Sequence, residues 1–157
     1  MKLMLASSGL ALVTSVAMAA PSPEQVQWET YSIAKTGTSV DVPISIFTEK
    51  SALPGGSGET FNTVDGRAVL TVQTAPNFEH DTPASFLEKQ HPPKHIQYKR
   101  VTSRFVAVSG YKQDKVYYSR CNFSGDLVHC VIMSYPAREE RDWDDIVTRI
   151  SLSLSGR

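Results

Sequence analysis

Two cysteines nine positions apart, Cys121 and Cys130, bracket the segment that most restricts how this chain can fold. The residues before and after them, Tyr117 to Phe123 and Val128 to Tyr135, are rich in β-branched and aromatic side chains and read as two strands. Between them, Gly125-Asp126 suits a two-residue type II′ turn, because Gly stands first, where positive φ is required. If Ser124 faces Leu127, Cys121 falls directly opposite Cys130 at a non-hydrogen-bonded pair. Cα atoms there approach to roughly 4.5 Å, near the lower end of the disulfide range. A disulfide closing so short a loop contributes about 2 to 3 kcal/mol on the chain-entropy account. A redox pair would be spaced Cys-x-x-Cys near a βαβ unit, which is absent, so the bridge is read as structural.

A persisting disulfide implies an oxidising compartment, and the N-terminus agrees. Lys2 precedes an apolar run from Leu3 to Val16, broken by Ser7, Ser8, Thr14 and Ser15. Ala17-Met18-Ala19 then fits the small-x-small cleavage rule. The expected cut is after Ala19, with residues 1–19 a signal peptide of bacterial type and 20–157 the mature chain. The run is too interrupted for a transmembrane span, which needs about 20 apolar residues. No cysteine stands near the cut to carry a lipid, and no second apolar segment follows, so the mature chain is expected to be a soluble periplasmic or secreted protein. Its length supports one domain with one sizeable core.

Shorter signals order the rest. Trp28 to Ile33 and Thr38 to Val42 are β-type runs divided by Lys35-Thr36-Gly37, and Pro54 to Gly58 is punctuation. Glu59 to Thr63 and Arg67 to Thr74 form a hairpin about Asp65-Gly66, and apolar residues on both parities of the second strand place it inside a sheet. Asp81-Thr82-Pro83 starts a short helix through Gln90, which His91-Pro92-Pro93 ends. Three β runs follow: Ile96 to Thr102, Arg104 to Tyr111 and Val116 to Phe123. Trp143, Ile146, Val147, Ile150 and Leu154 then recur at helical spacing on one face, and Asp142 with Asp145 resembles a capping arrangement. The expected fold is α+β: a mostly antiparallel sheet with a short mid-chain helix and a C-terminal amphipathic helix packed on it.

Charge is balanced overall, with 16 basic and 16 acidic residues, but is unevenly placed. Residues 89–120 hold eight basic groups against Asp114 alone. Such a run is either the solvated face of strands or a surface for an anionic partner. Within it, Tyr111, Lys112, Lys115, Tyr117 and Arg120 interleave aromatic and cationic groups and form the candidate ligand surface. Cross-strand packing is the competing explanation of the same residues. Export argues against nucleic acid; the expected partner is an unknown protein or a small anionic ligand.

Catalytic patterns are weak. His91 and His95 are separated by Pro92-Pro93, which rules out the helical i, i+4 geometry of a metal pair, and His80 lies on a loop. Ser124, Asp126 and His129 supply triad residue types within one hairpin, but nothing aligns them in sequence. The glycines at 55, 56 and 58 lack the Lys-Ser/Thr of a phosphate loop. No cofactor is implied, and a small secreted hydrolase or metal-dependent enzyme is the alternative to a non-catalytic accessory or binding domain.

Several short stretches occur together in one order. Val40-Asp41-Val42-Pro43 comes first, followed by the Gly58-Glu59-Thr60-Phe61 to Asp65-Gly66-Arg67 hairpin. Val108-Ser109-Gly110 and Tyr117-Tyr118 come next, and Tyr135-Pro136 steps into Trp143-Asp144-Asp145-Ile146-Val147. This layout resembles the PsbP and Mog1-like domains across most of the mature chain. The resemblance implies an α/β/α sandwich around an antiparallel sheet, used by non-enzymatic accessory and binding proteins. It carries over no ligand residues, because no functional motif of that family is matched.

Overall fold

The β-branched runs form nine strands in the computed structural model, which describes residues 26–90 and 92–156. The expected signal peptide and its cut after Ala19 lie outside the described residues. The strands are β1 (Trp28–Ile33), β2 (Thr38–Pro43), β3 (Glu49–Ala52), β4 (Gly58–Asn62) and β5 (Val69–Pro76), then β6 (His95–Val101), β7 (Phe105–Lys112), β8 (Lys115–Ser124) and β9 (Leu127–Pro136). Two helices complete the chain, α1 (Pro83–Lys89) and α2 (Glu140–Ser153). Seven strands make one antiparallel sheet in the order β3-β4-β5-β9-β8-β7-β6, and β1 and β2 pair as a separate hairpin.

The hairpin of β8 and β9 has the register that its turn dictates. Ser124 pairs with Leu127 and Cys121 with Cys130, whose Cα atoms are 4.2 Å apart and whose sulfurs are bonded. Gly125 takes φ 57° while Asp126 stays at negative φ, the II′ combination. β5 lies between β4 and β9, which explains its apolar residues on both parities.

Alternation along the strands divides the interior into two layers. Leu70, Val72, Val116, Tyr118, Val131 and Met133 point to one side, where they meet Trp143, Ile146, Val147 and Ile150 of α2 and Val40 and Val42 of β2. Tyr135 stacks on Trp143 with ring centroids 5.2 Å apart. Val106, Val108, Cys121, Val128 and Cys130 point to the other side and receive Leu87 and Phe86 of α1. The sheet is therefore sandwiched between α2 with the β1–β2 hairpin on one face and α1 on the other.

Three local expectations need correction. α2 begins at Glu140, following a 3-10 turn at Ala137–Glu139, so Asp142 lies inside its first turn and caps nothing; the N-cap position is Glu139, which makes no side-chain cap bond. Acidic Glu140 and Asp142 still oppose the helix dipole favourably. Gly58 belongs to β4 and not to a loop: a Cβ there would fall 1.9 Å from the Val72 carbonyl oxygen, so this position requires glycine. β3 carried no sequence signal, because all four of its residues are exposed and show no alternation. At α1 the capping expectation resolves to Thr82, whose hydroxyl accepts from Ser85 N–H while the Ser85 hydroxyl accepts from Thr82 N–H.

Candidate functional site

α1 is only seven residues long and covers part of its sheet face, held there by Leu87 and by an edge-on contact of Phe86 with Phe123 at 5.4 Å. The uncovered remainder is a groove of about 850 Å³. Its floor is the sheet, with Val106 and Val108 of β7, the disulfide, and Ile132. One wall is α1, through Phe86, Leu87 and Gln90, and it continues along Pro92, Pro93, Lys94 and His95. The prolines cannot continue the helix, and the chain bends at Lys94 to enter β6. Gly110 lets the connector close in: a Cβ there would lie 2.3 Å from the His95 carbonyl oxygen.

The mouth is basic. Lys112 and Lys115 face each other across the β7–β8 turn, in which Gln113 takes φ 59°, a left-handed conformation that costs a non-glycine residue about 1 kcal/mol or more. Lys94 stands on the opposite wall. The half-buried Tyr117 also lines the groove, its phenol pushed above the ordinary range by burial, so it stays a hydroxyl and a hydrogen-bonding group.

The five candidate ligand-surface residues do not share a face. Lys112, Lys115 and Tyr117 belong to the groove face by register. Tyr111 points to the α2 side and donates to Glu140 Oε2 at 2.6 Å, which raises its pKa. Arg120 also lies on the α2 side, 4.2 Å above the Phe105 ring, where its Nε donates to Asn122 Oδ1. Strand parity carried this information: Tyr117 and Arg120 are an odd number of residues apart on β8 and must diverge.

Among the described residues, the basic run of 89–120 is mostly unneutralised. Lys89 alone is ion-paired, with Glu79 and Asp81. Lys94, Lys99, Arg100, Arg104, Lys112, Lys115 and Arg120 have no described carboxylate within 4.0 Å, whereas elsewhere Arg67 holds two, Asp65 and Glu139, and Arg149 holds Asp41.

The residue types of a triad are dispersed. His129 is fully buried on the α2 face, with Nδ1 2.7 Å from Thr38 Oγ1, while Asp126 sits exposed at the turn, 3.9 Å from His80. Thr38 in turn bonds Thr74, and Thr36 reaches both threonine hydroxyls at 2.9 and 3.1 Å. No sequence pattern pointed to this buried His–Thr cluster, since its members come from three elements. Among the described residues no group of three His, Cys, Asp or Glu side chains is placed to hold a metal ion, and His91 is outside them.

No protein-family model and no curated protein matches the sequence. Solved structures do match the fold. One is the solution structure of cyanobacterial PsbP (CyanoP) from Synechocystis sp. PCC 6803, which superposes with a TM-score of 0.61 over 89% of this chain and 99% of that one, at 9% identity. The PsbP-type architecture expected from the sequence is therefore present, and at this identity the likeness concerns the fold.

Proposed function

We propose that this chain is an exported, non-catalytic binding domain, and that its ligand is a small anion with an apolar body held in the groove between α1 and the sheet. The observation that carries the reading is the groove itself: an apolar, disulfide-backed floor lined at its margins by Lys94, Lys112 and Tyr117, with Lys115 opposite Lys112 on the same face of the sheet. Its volume lies within the range of small-molecule sites, about 300 to 1,000 Å³. Apolar floor atoms would supply affinity at about 25 cal/mol per Å² removed from water, and the lysines would select the sign of the head group. Among the described residues no nucleophile in the groove is hydrogen-bonded to a base, which is why binding is preferred over hydrolysis. Export rests on the signal-peptide pattern with its cut after Ala19, which leaves residues 20–157 as one domain, and on the disulfide.

Dodecanoate and dodecylamine provide the test, with binding followed by amide chemical shifts. Dodecanoate is expected to perturb Val106, Val108 and Ile132, and dodecylamine to bind about tenfold or more weakly. The double variant Lys94→Glu, Lys112→Glu should weaken dodecanoate about tenfold, or 1.4 kcal/mol. Equal binding of the two amphiphiles, or shifts confined to the α2 face, would remove this reading.

A further inference from the structure

Among the described residues the seven-stranded sheet has two unpaired edges, and they differ in kind. β3 is four residues long and places Lys50 beside Glu59, the short, charge-marked edge that discourages further pairing. β6 is seven residues long and exposed along its whole length, including Ile96, Tyr98 and Val101 at 39, 46 and 37%. Its outward backbone can be read from the turn. Thr102 N–H donates to the Phe105 carbonyl at 2.9 Å, closing a two-residue loop. Val101 opposite Val106 is then a non-hydrogen-bonded pair, Arg100 opposite Ala107 a bonded one, and Lys99 opposite Val108 non-bonded again. The N–H and C=O groups of Lys99 and Val101 therefore point away from β7, toward an added strand. A register shift between Ile96 and Tyr98 confines this regular edge to Tyr98–Val101.

The charge at this edge has one sign. Lys99 and Arg100 lie on it, Arg104 follows in the turn, and Arg100 and Arg120 both stand over the Phe105 ring, at 5.4 and 4.2 Å. No acidic residue occurs between Glu88 and Asp114. A second copy of the chain paired through β6 would set these cations against their own kind, which is unfavourable. An anionic surface without backbone donors could satisfy the cations but not the outward N–H groups.

We propose that the β6 edge docks an extended acidic segment of a partner protein, which adds to the sheet as an eighth strand. Its backbone bonds to Lys99 and Val101, and its carboxylates meet Arg100 and Arg120 on one face. This site is separate from the groove and does not depend on its ligand.

The probe is a synthetic heptapeptide of alternating glutamate and valine, with the lysine-for-glutamate peptide as control. The acidic peptide is expected to slow hydrogen exchange at the Lys99 and Val101 amides. Arg100→Glu, at an exposed position, should weaken it about tenfold or more. Val101→Pro removes an outward N–H that β7 does not use and should also abolish the protection. Equal affinity for the lysine peptide, or no protection at Lys99 and Val101, would overturn the proposal. So would a concentration-dependent dimer protecting the same amides without peptide, or capture by phosphatidylglycerol vesicles that displaces the peptide and is unaffected by Val101→Pro.

Discussion

Ile150→Ala is expected to lower the free energy of unfolding by about 3 to 4 kcal/mol, a loss large enough to leave a domain of this size close to its folding threshold. Ile150 is 0% exposed and sits in the layer where α2, β2 and the central strands meet. Removing three carbons there forfeits their transfer energy. It also leaves a cavity in a layer whose other members include Val131 and Met133 on the sheet and Val40 and Val42 on β2, all fixed in backbone ladders that can relax little. Leu152, two residues along α2 but 72% exposed, is the internal control: Leu152→Ala should change stability by less than about 0.5 kcal/mol. Urea denaturation checks both, the expected signature being a lowered midpoint with an unchanged slope. A loss below about 1 kcal/mol at Ile150 would mean that α2 and the β1–β2 hairpin are not jointly held by this layer. Because the groove lies on the opposite face of the sheet, the folded fraction of Ile150→Ala should keep its affinity for dodecanoate.

Elements whose cause is local could be read from the sequence. Gly125 and the two cysteines fix a turn, a register and a cross-link within ten residues, and the spacing of Trp143, Ile146, Val147 and Ile150 defines the buried face of α2 without reference to any partner. β3 could not be found in this way, because Glu49 to Ala52 become a strand only by pairing with β4 and bury nothing of their own. The departure of β1 and β2 from the main sheet was equally hidden: Val40 and Val42 announce a buried face, but not that α2 lies against it. The candidate site was legible in part. A basic run with tyrosines marked the right strands, yet a run counts charges without regard to parity, and alternation sends Tyr117 to the groove and Arg120 to the opposite face. The groove's other wall comes from α1 and from Pro92 to His95, whose proximity to Val108 follows from pairing across β6 and β7 and from the missing side chain at Gly110.

Acidification from pH 7.5 to 5.5 is expected to lower the melting temperature, and His129 is the group responsible. Its ring is fully buried and burial depresses its pKa below the ordinary histidine value near 6.5. Nδ1 has Thr38 Oγ1 at 2.7 Å, while Nε2 is buried without a partner beneath Gly156, whose missing side chain makes the space: a Cβ there would lie 2.3 Å from Nε2. The neutral tautomer with Nδ1–H donating to Thr38 leaves only a lone pair unsatisfied; protonation would add an Nε2–H with no acceptor. With the folded pKa below the unfolded one, the unfolded chain binds more protons inside that window, so stability is fully present above about pH 6.5 and falls as the pH drops toward the folded value. His129→Asn keeps a polar group in reach of Thr38 but cannot titrate, so it should flatten the pH dependence. His129→Ala should cost about 2 to 4 kcal/mol at pH 7.5, through the cavity and the lost bond to Thr38, whose hydroxyl keeps Thr36 and Thr74 as partners. If the slope survives in His129→Asn, the acid sensitivity belongs to another group.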